Sequence, residues 1–192
     1  MTGIDVHGVF AVAYEARPFL ENRWDALRRL YGWPQLPGQA ASDGMCLFSA
    51  CFLKFVLRQE FPDAGWRCVG GSSDKPEAID PSIGMPGGCR DAEGRWHGHH
   101  WVEDALGELA VDVTLDQFGG PPVWAADPRR QVDGAHMVVR RNWFSREEDA
   151  AVDCIADEVY GWMTDWHVAL TPSVGPLCGP LPSRVVRGGL AD

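Results

Sequence analysis

The stretch "MCLFSACFLKFVLRQEF", residues 45–61, is apolar around nearly its whole circumference, with Lys54 and Arg58 the only charges before its last turn. Wound as a helix, it has no polar face to offer water, so the rest of the chain must enclose it. With 192 residues, 45% of them hydrophobic, the chain is long enough for one well-buried core and too short for two comfortable ones. A single domain spanning 1–192 is expected, with its core at about 17–170 and a Pro-, Gly- and Arg-containing coil at 171–192.

The flanking segments supply the enclosure. "RPFLENRWDALRRLYG" sets Phe19, Leu20, Trp24, Leu27 and Leu30 at helical spacing, with Pro18 near the start and Gly32 at the end, and predicts a first amphipathic helix. "WPQLPGQAASDG" breaks the chain before the apolar helix begins. A short strand is expected in "GWRCVGG", and the low-periodicity segment from Ser72 to Arg95 reads as a long loop, either a lid or a surface excursion. Strands are expected at 97–103, 109–114 and 136–141. "SREEDAAVDCIADEVYGWMTDW" then opens with Ser145 and Glu148 at capping-box spacing and aligns Ala151, Cys154, Ile155, Val159, Trp162 and Trp166 on one helical face. Helices segregated from strands in this way predict an α+β domain with a mainly antiparallel sheet.

Charge and cysteine usage narrow the partners. Asp and Glu number 27 against 17 Lys and Arg, a formal charge of -10 with no basic run, which argues against duplex nucleic acid and anionic membrane as partners. No stretch has the length of an apolar membrane span, and "MTGIDVHGVF" lacks the pattern of an export signal, so a cytoplasmic protein is expected. Six cysteines without a CxxC pair point to reduced thiols.

The chemistry concentrates in "HGHHWVEDALGELAVDVT", where His97, His99 and His100 fall within four positions. Strand alternation places His97, His99, Trp101 and Glu103 on one face and His100 and Val102 on the other. A tight turn centred on Ala105 and Leu106 sets His99 opposite Asp112 and Glu103 opposite Glu108, whereas a one-residue slip sets His100 against Asp112. An imidazole held by a carboxylate needs a thiol or hydroxyl beside it to act as a nucleophilic apparatus. Cys46 is the candidate: "ASDGMC" offers Ser42 or Asp43 as N-cap, placing the thiol in the first turn of the buried helix, where helix amides and a neighbouring imidazolium favour the thiolate.

A Cys opening a buried helix, then "HHWVE", then "VDVT", resembles the transglutaminase-like branch of the papain-like cysteine enzymes over residues 40–120. The resemblance implies a papain-like core, with the buried Cys-bearing helix packed on the antiparallel sheet. It implies Cys46 as nucleophile, His99 as base, His100 in a variable slot and Asp112 as the orienting acid. The tryptophan that usually follows the cysteine is replaced by Leu47. An upstream side-chain donor is also implied, for which Gln39 or Gln35 is available. Trp101 and Glu103 are expected to pack or bridge beside the site, Trp101 being the second candidate at the oxyanion or substrate position, and Asp116 is a fallback orienter. The activity implied is acyl transfer through a thioester on a peptide, protein or small amide or ester substrate, by a peptidase, amidase, deamidase or transglutaminase-type enzyme without metal or cofactor.

Two other readings use the same residues. His97 and His99, at i and i+2 on a strand, can share a zinc ion with Cys89 or His136. A domain of this fold can also serve as an inactive binding module. Cys51, five positions beyond Cys46 and about 140° around the helix, is expected in the core, and Cys68, Cys89, Cys154 and Cys178 are expected to be structural. His7, His136 and His167 are expected at the surface or with satisfied ring nitrogens.

Overall fold

The apolar segment forms α2, Cys46–Glu60, and its burial organises everything around it. The structure, a computed structural model, describes residues 3–71, 88–128, 135–138 and 146–170. α1 (Val6–Tyr31) and α3 (Arg146–Leu170) flank α2, and all three contribute side chains to one core with the inner face of a sheet. The strands are β1 (Arg67–Gly71), β2 (Gly88–Asp91), β3 (Trp96–Glu103), β4 (Ala110–Asp112), β5 (Trp124–Ala126) and β6 (Ala135–Val138). They form an antiparallel sheet in the order β5-β4-β3-β2-β6, with β1 paired to β3 off that path. The mixed α+β character expected from the sequence is therefore present.

β3 is the hub. β1 lies along its 99–103 half, β2 along 96–98, and β4 beside Val102 and Glu103. Val102 and Val111 face the helices with Phe48, Phe52 and Val56 of α2. The opposite face holds a smaller cluster of Val69, Cys89, Trp101, Ala110 and Leu115, against which Phe118 and Trp124 pack. Gly70 is required where β1 meets the paired histidines: it sits at φ +140, and a Cβ there would lie 2.0 Å from the His99 carbonyl oxygen.

Several boundaries differ from expectation. α1 begins at Val6, not Pro18, because Val9, Ala13 and Ala16 extend the apolar stripe towards the N-terminus and Asp5 caps it by accepting from His7 N. Pro18 lies inside the helix on its exposed face, where the Tyr14 carbonyl it deprives of a partner is on the side open to water. Within the expected loop 72–95, residues 88–91 form β2 between β3 and β6; its four residues are too few, and too Gly- and charge-containing, to show a strand period. Residues 72–87 of that loop lie outside the described residues, as do Ser145, 139–141 of the third expected strand and the tail 171–192. β5 was not expected either; its residues "WAA" carry no alternation.

No helix among the described residues is long and apolar enough to cross a membrane. The heart of the helical layer is aromatic: the Phe52 ring stacks on Phe19 at 5.1 Å and meets Trp162 and Trp166 edge-on. With Phe52 fully buried, Phe52→Ala should cost about 3–5 kcal/mol of unfolding free energy, read as a lower denaturant midpoint at unchanged slope.

Candidate functional site

The hairpin between β3 and β4 is set by Asp104. Its backbone N–H donates to the Leu109 carbonyl, its Oδ1 accepts from the Glu108 and Leu109 amides at 2.7 and 2.8 Å, and its Oδ2 accepts from Leu106 N. Gly107 takes the left-handed position, φ +64, that the turn needs. The turn is thus longer than expected, and the register shifts by two: Glu103 pairs with Ala110, and Val102 with Val111. The shift removes the unfavourable Glu103–Glu108 pairing, and β1 sets Arg67 beside Glu103 instead.

Because the shift is even, every side chain keeps its face. His99 and Asp112 become diagonal neighbours and still meet, with Nε2 2.5 Å from Asp112 Oδ2. Both are buried, at 0% and 1% exposure. The other oxygen of Asp112, Oδ1, accepts from Thr114 N at 2.7 Å and Thr114 Oγ1 at 2.9 Å. Three donors thus aim one carboxylate. A carboxylate only accepts, so Nε2 carries a proton and Nδ1 is the ring nitrogen left for exchange. Around the ring, Trp101 stacks at 6.0 Å and Phe118 approaches edge-on at 4.9 Å.

Cys46 is the first residue of α2 and is half-buried. Its thiol interacts with His99 and with His100, whose Nδ1 lies 3.8 Å from Sγ. Burial alone raises the thiol's pKa, but hydrogen bonds to His100 and His99, and the positive charge those rings can carry, outweigh it and bring the thiol down to about 6. His99 moves the other way: burial lowers it, the Asp112 charge and hydrogen bond together with the Cys46 thiolate raise it, and it is pushed up to about 10. Both shifts favour the thiolate–imidazolium form of the pair.

The loop before α2 is held from α1 by two buried arginines. Arg28 Nη2 donates to the Ala41 and Asp43 carbonyls at 2.6 and 3.1 Å. Arg17 donates to the Val113 and Pro122 carbonyls and, bidentately at 2.8 Å, to Asp116. Ser42 Oγ donates to Asp116 Oδ1 at 2.6 Å. Ser42 is therefore not the helix cap, and neither is Asp43; Met45 occupies that position without a side-chain bond, because the Ser42 hydroxyl is committed to Asp116. Nor is Asp116 an orienter of His99. It ties the segment leading to Cys46 to the segment following Asp112.

The remaining expectations divide. Trp101 is buried and gives its one N–H to Glu103 Oε1 at 2.9 Å, so it packs on His99 and has no donor to spare for an oxyanion. Gln39 is exposed, and its Oε1 closes its own turn by accepting from Leu36 N, while Gln35 Nε2 donates to the Gln39 and Ala40 carbonyls. Gln117, which nothing in the sequence pattern marks, donates to the Thr114 carbonyl at 2.9 Å with the same Nε2 3.5 Å from His99 Nδ1. Cys51, Cys68 and Cys89 are buried. Cys89 is pushed up by burial and by the nearby Asp112 and Asp91 charges. Cys178 and the side chains of Cys154 and His136 lie outside the described residues, while His7 and His167 are exposed.

His97 and His99 do not converge. His97 Nε2 meets Asp91 Oδ2 at 2.9 Å, which with Arg95 holds Asp91 below the usual carboxylate range, and the Phe118 ring packs against both imidazoles. Among the described residues no group of three or more His, Cys, Asp or Glu side chains is placed to hold a metal ion. Comparison of the chain with protein-family models, curated proteins and solved structures finds no match.

The Asp116 bridge generates a test of the scaffold. Asp116→Ala removes the bidentate partner of the buried Arg17 guanidinium, leaving it Glu21 and two carbonyls, and frees Ser42, so it should cost about 2 kcal/mol of stability in denaturant titration. Asp116→Asn keeps an acceptor for Ser42 and should cost less.

Proposed function

We propose that this chain is a cysteine-dependent acyl-transfer enzyme with a papain-like, transglutaminase-like arrangement of Cys46, His99 and Asp112. The observation that carries the proposal is a half-buried thiol at the first residue of α2, in contact with His100 and beside the adjacent His99, whose Nε2 is held by a buried, triply hydrogen-bonded carboxylate. Each part has a chemical duty. Proton transfer from Sγ to His99 Nδ1 yields the nucleophile. The thiolate attacks the carbonyl carbon of an amide or ester, and the carbonyl electron pair moves to oxygen. The amides of the first turn of α2 lack intrahelical acceptors and are suited to stabilise that oxyanion.

Collapse of the tetrahedral adduct breaks the carbon–nitrogen or carbon–oxygen bond, and His99 delivers its proton to the leaving group. A thioester on Cys46 remains. Water or an amine then gives a proton to His99 and attacks the thioester, and the thiolate leaves, closing the cycle. Asp112 keeps the proton on Nε2 throughout and offsets the imidazolium charge. The substrate class is a peptide, a protein or a small amide or ester.

The test is covalent labelling of Cys46 by acyl-trapping electrophiles, read by intact-protein and peptide mass spectrometry. Labelling is expected to rise through about pH 6 as the thiolate forms and to hold up to about pH 10, where His99 loses its proton. Cys46→Ala should abolish it, His99→Ala should slow turnover by about 100- to 10,000-fold, and Asp112→Asn should be less severe, each with the fold intact by circular dichroism. A Cys46 thiol that reacts no faster than a free cysteine at neutral pH would point to an inactive binding domain, and full activity in purified Cys46→Ala would end the assignment.

A further inference from the structure

His100 takes the slot that the hairpin pattern leaves variable, and the three-residue scheme gives it no duty. Alternation turns it away from His99, towards α2, where it is 6% exposed and packs in the seam with Ser49, Ala50 and Leu53. Its strand neighbour on that face is Val102, and Val111 of β4 and Val113 just beyond that strand lie across from it, so the position belongs to a largely apolar surface. A buried imidazole on such a surface carries a desolvation cost unless its nitrogens find partners. The partner of Nδ1 in the structure is Sγ of Cys46, at 3.8 Å, within reach of a sulfur hydrogen bond.

The thiol therefore sits between two imidazoles that arrive from opposite faces of one strand. They are not equivalent. His99 has a carboxylate on its Nε2 and is equipped to hold a positive charge; His100 has only apolar and hydroxyl-bearing neighbours from α2.

We propose that His100 is a positioning residue for Cys46, donating its Nδ1–H to the thiolate from the helix side while His99 takes the thiol proton. The inference rests on Cys46 being the nucleophile of the proposed function. The proton count is simple: the S–H proton moves to His99 Nδ1, and His100 keeps its own. The hydrogen bond stabilises sulfur when it is charged more than when it is a thiol or thioester, so it favours both formation of the nucleophile and its departure from the thioester. It also holds Sγ on the side of α2 that faces β3. The direction of the Cys46 shift, to which His100 contributes the larger hydrogen-bond share, agrees. The titratable groups around this contact are Cys46 from α2, His99 from β3 and Asp112 from β4; β1 presents Gly70 opposite His100, and the Cys46 charge is one of those that push the buried Cys89 thiol of β2 up.

The experiment is the pH dependence of Cys46 alkylation by iodoacetamide in the full chain, with the modified peptide quantified by mass spectrometry, for wild type, His100→Phe and His100→Asn. Asparagine places an amide N–H near the position of Nδ1; phenylalanine fills the space without a donor. The wild-type rate is expected to rise with a midpoint at about 6. His100→Phe should move that midpoint up by about one unit, slowing alkylation about fivefold at the wild-type midpoint and about tenfold well below it, while His100→Asn keeps the wild-type profile. Should His100→Phe fail to fold by circular dichroism, His100→Met makes the same comparison. Superimposed profiles for wild type and the donorless variant overturn the inference and leave the Cys46–His99–Asp112 reading standing. An asparagine variant that shifts as far as the donorless one assigns the effect to packing and overturns the donor role. A wild-type midpoint at the ordinary thiol value overturns the functional proposal itself.

Discussion

One hydrogen bond between two buried side chains, His99 Nε2 to Asp112 Oδ2, gives the site its polarity. Asp112 cannot rotate away, because Thr114 holds its other oxygen through both backbone and hydroxyl. His99 cannot tilt, because Trp101 stacks on it and Phe118 abuts its edge. With Nε2 fixed, the basic end of the ring is fixed too, and a thiol brought to that end loses its proton more readily than one in water. The chemistry proposed for Cys46 follows from that asymmetry.

Bringing the thiol there is the work of elements far away in the chain. α2 packs against α1, α3 and the sheet, with Leu47, Lys54 and Phe55 left half-buried on the remaining side, so its axis is set by apolar packing, but packing does not say where along that axis the helix begins. Polar contacts settle the starting point. Arg28 holds the carbonyls of Ala41 and Asp43, and Arg17 and Ser42 share Asp116, four residues beyond Asp112. Burying such groups stabilises little in net terms, whereas removing one partner leaves a charge without compensation. The network therefore acts mainly as a register device, joining the entrance of α2 to the exit of β4.

Much of this was legible in the sequence, and the failures have physical causes. The all-round apolar α2, the face shared by His99, Trp101 and Asp112, and the Val159–Trp162–Trp166 face of α3 follow from side-chain periodicity, which survives any tertiary detail. The hairpin register differs by two residues from the one alternation predicts because the Asp104 carboxylate accepts from three turn amides, a local choice that alternation does not record. Since the difference is even, the His99–Asp112 pairing survives it. β2 and β5 are too short to show a period. Pro18 has the sequence signature of a helix opener, yet α1 begins at Val6 and carries Pro18 inside it. The arginines do leave a signal in the sequence: Arg17 and Arg28 lie on the stripe of Ala13, Leu20, Trp24 and Leu27, where a charge needs a buried partner. Asp116 was noticed as a carboxylate, but nothing in "TLDQFG" tells that its partner is 99 positions upstream.

The central claim is that Cys46 is a thiolate beside a charged His99 at neutral pH. Ultraviolet thiolate absorbance, titrated with pH in the wild type and in Cys46→Ala, isolates that one sulfur by difference. The account predicts a difference signal that appears with a midpoint at about 6. A difference signal that appears only in the ordinary cysteine range, about 8.5, would contradict it.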